Sequence, residues 1–123
     1  GAGVVIPSGQ MSASEVAQHL LALSRDLLRF TDELNAKDIE SVELAEDAKV
    51  AEAKAFIAAE GPVDQRKALS VVETHAQRLA ARVAEAEVRA LQRSVRTLER
   101  RIDVGRSHGA TVRAEVAMSG MTA

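Results

Sequence analysis

Three histidines, His19, His75 and His108, and 18 carboxylates are the residues of this 123-residue chain that could hold a metal or move a proton. Carboxylate-bridged metal centres in helical proteins use Glu-x-x-His on facing helices, and that tetrapeptide does not occur here. Glu15 and His19 lie four residues apart on one helix face, with His108 the residue a fold-back could bring to them. That set is incomplete, and exposed polar residues explain the pattern more simply. No glycine-rich phosphate loop, nucleophile elbow or zinc spacing is present. The absence of cysteine removes disulfide and thiolate chemistry and fits a cytoplasmic protein. The expectation is a chain without an active site, cofactor or metal, and not an enzyme.

The arginines are more informative. Arg89, Arg93, Arg96 and Arg100 follow one another at steps of four, three and four, forming one stripe along a helix, and Arg82 extends it. Val88, Leu91, Val95 and Leu98 occupy the other side of the same helix, so the stripe points away from any partner they pack on. Arg101 flanks the apolar seam within reach of Asp26. Three readings stand. The stripe is a solvated face with local pairs such as Glu85–Arg89. Alternatively, it meets an acidic face (Asp32, Glu33, Glu40, Glu43, Glu46, Asp47) of another subunit or partner protein. The third reading is contact with nucleic-acid phosphates. Against the third stand a net charge of −2 and a 2% aromatic content, Phe30 and Phe56 alone, which leaves no stacking platform for single strands.

The elements that must carry these residues are helices. Alanine, leucine, valine, glutamate and arginine dominate, as in long helices. Residues 1–11 lack a helical period and read as a tail. Ser12 with Glu15 forms a capping box, and Met11 and Val16 occupy the positions of a hydrophobic staple. No Gly or Pro then occurs until Gly61-Pro62, so the sequence predicts a helix over 12–60, a turn at 61–64 and a second helix over 65–118. An interruption at Gly105–Gly109 is an alternative, as is a break near Asn35–Asp38. Residues 119–123 read as a C-terminal tail. Gly105-x-x-x-Gly109 resembles a small-residue packing motif, but its polar flanks remove the membrane meaning.

Apolar residues recur at alternating steps of three and four. In the first helix they run from Val16, Leu20, Leu23, Leu27, Phe30 and Leu34 to Leu44, Ala48, Ala51 and Ala55, broken only by Lys37 and Ser41. In the second, Leu69, Val72, Ala76, Leu79, Val83 and Ala86 form one seam. Val88, Leu91, Val95, Leu98, Ile102, Gly105, Gly109, Val112 and Val116 form another, shifted in phase. The pattern predicts an all-α fold: a long antiparallel helical hairpin, a coiled coil, with Leu23 opposite Ile102, Leu27 opposite Leu98 and Leu20 opposite Gly105. Toward the turn it places Ala48, Ala51 and Ala55 against Leu79, Ala76 and Val72.

Leu21, Leu28 and Val42, with Ile39 nearby, form a further apolar ridge on the first helix that one partner helix does not cover. They are the candidate self-association residues, and the expected state is a homo-oligomeric helical bundle. No apolar run has the length of a membrane span. Residues 1–60 hold 11 acids and 5 bases, and residues 61–123 hold 7 acids and 11 bases, so the halves should attract one another within or between chains.

Ala81–Ala117, above all the stretch RRIDVGRSHGATVRAE, resembles the C-terminal half of small helical proteins of unassigned role encoded by actinobacterial tailed phages and prophages. That resemblance covers about a third of the chain and implies a phage accessory protein, near replication or recombination genes, with no functional residue carried over. The residues point to a non-enzymatic protein–protein interaction module with a protein partner and no membrane; a nucleic-acid-binding accessory factor is the alternative.

Overall fold

The computed structural model of the chain describes residues 11–122. It is all-α, with α1 at Ala13–Ala58, α2 at Val63–Glu73 and α3 at His75–Thr122, and no strand among the described residues. All of the expected N-terminal tail except Met11 lies outside the described residues.

α1 starts where its cap is met. The Glu15 N–H donates to Ser12 Oγ at 3.1 Å, and the Val16 N–H donates to the Ser12 carbonyl. With no Gly or Pro inside it, the helix continues through Asn35–Asp38, so the alternative break there does not occur. Its far end is closed by Arg66, which donates from Nε and Nη2 to the Phe56 carbonyl at 3.3 and 3.0 Å and lies 4.4 Å from the centre of the Phe56 ring. Gly61 makes the reversal at φ +108°, a conformation disfavoured for any residue with a Cβ. Pro62 precedes α2 in an extended conformation, and Asp64 places a negative charge in the first turn of that helix.

One interruption is not visible in the sequence. Instead of a single second helix, the chain is interrupted at Thr74, whose φ of −104° and ψ of 17° separate α2 from α3. The junction is stitched by side chains: Thr74 Oγ1 donates to the Ser70 carbonyl at 2.7 Å and Arg78 Nη2 to the Val71 carbonyl at 2.6 Å. At the glycines, by contrast, α3 is unbroken; Gly105 and Gly109 are helical, and the helix continues through the expected tail to Thr122.

The packing divides into two compact units. The first joins α1 up to Phe30 with α3 from Ser94 onward; the second is Thr31–Arg93. In the first unit Leu23, Leu98 and Ile102 form the buried core, with Leu20, Leu27 and Phe30 packed against it. The helices run antiparallel, since Leu20 lies against Gly105 and Val16 against Gly109. A Cβ on Gly105 would stand 2.7 Å from Leu20 Cδ2. The glycine costs about 1 kcal/mol of helix propensity and opens the room that the leucine fills.

In the second unit the buried positions are small: Ser41 and Ala48 on α1, Ser70, Thr74, Ala81, Ala84 and Val88 on α2 and α3. This corrects the expected seam. The phase that runs through Val88, Leu98 and Ile102 continues backward without a shift, while Leu69, Val72, Leu79 and Val83 are 40, 73, 51 and 47% exposed. Ala76 and Ala86 are exposed with them. The physical reason is that the buried hydroxyls need no outside partner. Ser70 Oγ donates to the Lys67 carbonyl and Ser41 Oγ to the Asp38 carbonyl, each at 2.8 Å, so these side chains enter the interface already satisfied.

Ala81 and Val72 give this phase a direct check. Ala81→Leu, at a site 5% exposed, forces a larger side chain into close packing and lowers stability by about 1–3 kcal/mol. Val72→Ser changes it by less than about 0.5 kcal/mol in the unassociated chain, as for other exposed positions. Urea unfolding at low protein concentration reads both, and a reversal of the ranking refutes the burial phase.

Candidate interaction surfaces

On the described surface, two kinds of side chain stand out. The first is arginine. Arg89 and Arg93 belong to the second unit, Arg96 and Arg100 to the first, and all four are exposed, as is Arg82. Their direction follows from helix phase: Val88 and Leu98 are buried, and residues one, two, five or eight positions along the same helix are carried away from that side. None of the five forms an ion pair with a described residue. The pairs that do form are Arg29–Asp26, Lys37–Glu40, Lys37–Glu87, Lys49–Glu46 and Arg106–Asp103. Asp26 thus pairs with Arg29 on its own helix, and Arg101 instead lines the groove described below.

The second kind is exposed aliphatic surface. In the first unit Leu21 and Leu28 are 53 and 64% exposed, and in the second Ile39 and Val42 are 62 and 60% exposed. Val50 and Ile57 extend the apolar surface of α1 in the second unit. On the α2–α3 side of that unit, Leu69, Val72, Leu79 and Val83 form an exposed stripe that sequence periodicity had placed inside. The signal that distinguishes the two stripes is the buried run of small residues, Ser70, Thr74, Ala81 and Ala84, which is equally regular but less hydrophobic.

Lys37 sits at a position where the α1 pattern calls for an apolar residue. Its ammonium donates to Glu40 on the same helix at 2.8 Å and reaches Glu87 of α3 at 2.7 Å. These two carboxylates, Glu40 first, hold its pKa above the ordinary lysine range. A lysine at the seam is therefore kept charged and clipped to both helices.

A groove of about 850 Å³ opens in the first unit beside Leu23, His19, Arg101, Val104, Gly105 and His108. His108 Nε2 is buried and has no hydrogen-bond partner among the described residues. Glu15 does not line the groove, and no group of three His, Asp or Glu among the described residues could hold a metal ion. No described helix is long and apolar enough to cross a membrane.

With this geometry in hand, no protein-family model, curated protein or solved structure matches the chain. The surfaces themselves must carry the functional reading.

Because the arginine stripe forms no ion pair with a carboxylate among the described residues, its charges should be dispensable for folding. Arg93→Glu with Arg96→Glu leaves helicity by circular dichroism unchanged and stability within about 0.5–1 kcal/mol of wild type. A loss of several kcal/mol instead assigns the stripe a structural role.

Proposed function

We propose that this chain is a coiled-coil helical hairpin that acts through protein–protein interaction, without catalysis, and that it associates with itself into a helical bundle. The observation that carries this reading is the exposure of Leu21 and Leu28 in one unit and of Ile39 and Val42 in the other. Large aliphatic side chains on the outward side of a helix lose the benefit of burial, worth about 1.5–3 kcal/mol each when complete. Apolar surface repeated at helical spacing is a mark of an interaction face. Buried Ala81, Ala84 and Val88 at steps of three and four, and Leu98 and Ile102 four apart, support the coiled-coil assignment.

Light scattering on the purified chain should report at least a dimer at micromolar concentration, and Leu28→Glu should shift the mass toward the monomer. A wild-type chain that stays monomeric at high concentration refutes self-association.

A second reading rests on one observation, the five arginines without ion-pair partners among the described residues. As a nucleic-acid-binding accessory factor, the chain would set Arg89, Arg93, Arg96 and Arg100 on duplex phosphates. Four such contacts give a log–log dependence of affinity on salt with a slope of roughly −3.6, at about −0.9 per phosphate. The net charge of −2 and the low aromatic content favour the protein partner. Fluorescence anisotropy with a labelled duplex across a salt series separates the readings: DNA binding with that slope, abolished by Arg93→Glu with Arg96→Glu, supports the second. No binding at low salt removes it.

A further inference from the structure

The second unit presents two apolar faces on opposite sides. On α2 and α3, Leu69, Val72, Ala76, Leu79, Val83 and Ala86 recur at steps of three, four, three, four and three. All six are exposed. That spacing is the one a helix uses to pack along another helix, and it lies on the side away from buried Ser70, Thr74, Ala81 and Ala84. It is therefore a second apolar stripe, uncovered by any described residue, that crosses from α2 into α3 on the side opposite the buried one. On α1, Ile39, Val42, Val50 and Ile57 are exposed. At about 100° per residue they fall on one face, interleaved with Asp32, Glu43 and Glu46.

We infer that the Leu69–Ala86 seam receives the outer face of α1, around Ile39–Ile57, from a second copy of this chain. The inference rests on the self-association reading above and specifies the contact made by the second unit, apart from any made by Leu21 and Leu28 of the first. Three observations select this occupant. The two stripes match in length, each about 27 Å at 1.5 Å per residue. Their charges are complementary: Arg82 and Arg89 edge the seam without ion-pair partners among the described residues, and Arg93 stands beyond its end. Glu87, on the other edge, is already tied to Lys37. The α1 face carries Glu43 and Glu46, and Glu46 meets only an exposed Lys49 at 3.3 Å. Packing the seam against its own copy antiparallel would instead set arginine edge against arginine edge, because like flanks face one another in that arrangement.

The two faces of one copy point in opposite directions, so seam-on-α1 contact is heterologous. Each added copy leaves one seam and one α1 face open, and growth continues unless the rotation closes a ring.

Charge exchange tests the pairing. Two variants are made, Arg82→Glu with Arg89→Glu and Glu43→Lys with Glu46→Lys, and each is checked for helicity. Sedimentation velocity is run on each alone and on the equimolar mixture. Each variant alone should associate at least about tenfold more weakly than wild type. The mixture should recover wild-type association, because the acidic seam of one then meets the basic α1 face of the other. Leu79→Glu with Val83→Glu should weaken association without restoration by either charge variant. Recovery that fails in the mixture overturns the inference. So does wild-type association in the Leu79/Val83 variant, although self-association through another face then survives. A wild-type chain that is monomeric throughout overturns both. Loss of association only in the Arg82/Arg89 variant means that the arginines meet a surface other than Glu43 and Glu46 and also overturns it.

Discussion

A long helix packed against one partner buries one stripe of its surface, and every apolar residue off that stripe stays in water. In the second unit that stripe is a run of small side chains. Ser41 and Ala48 on α1 and Ser70, Thr74, Ala81 and Ala84 on α2 and α3 are the residues that burial selects. Small residues leave room for helix backbones to approach, and Val88 is the larger aliphatic side chain buried beside them. The side chains at Leu69, Val72, Leu79 and Val83 lie off that stripe and are exposed. The surface chemistry of the unit follows from this one packing choice.

The choice requires hydroxyls that cost little to bury. An unpartnered buried hydroxyl carries a desolvation penalty of about 1–3 kcal/mol. Ser41, Ser70 and Thr74 avoid it by donating to carbonyls three or four residues earlier in their own helices. Thr74 also sits between α2 and α3, where Arg78 takes the Val71 carbonyl. One arginine and one threonine thus span the junction of α2 and α3, where no Gly or Pro occurs. In the first unit glycine makes the room that Ser and Ala make in the second, with Leu20 seated on Gly105 and Val16 on Gly109.

These details mark where sequence is legible and where it is not. The start of α1 could be read because Ser12 and Glu15 form a cap from residue types alone, and the reversal because Gly61 is the residue that tolerates φ +108°. The outward direction of Arg89, Arg93, Arg96 and Arg100 was legible from their phase relative to Val88 and Leu98. The α2–α3 seam was not. Two equally regular stripes run along that segment, and a hydrophobicity rule chooses Leu69, Val72, Leu79 and Val83 over Ser70, Thr74, Ala81 and Ala84. The hydroxyls of Ser70 and Thr74, satisfied by carbonyls of their own segment, make the opposite choice possible. The interruption at Thr74 leaves no mark in composition, since the bonds that support it come from ordinary residues.

Charge completes the physical account. The acidic first half and basic second half would be expected to attract, yet a single ion pair, Lys37–Glu87, joins α1 to α3 among the described residues. The other four pairs are local, each spanning three residues on one helix. Folding therefore leaves most of the opposed charge unpaired on the outer helix faces, where water and salt screen it. Such fields contribute little to the stability of the chain that carries them, but they act at distance on whatever approaches. The carboxylates of α1 and the arginines of α3 are each interleaved with, or alongside, exposed aliphatic side chains. Attraction and burial then favour the same encounter, which is how charge adds selectivity to an apolar contact that alone would accept any hydrophobic helix.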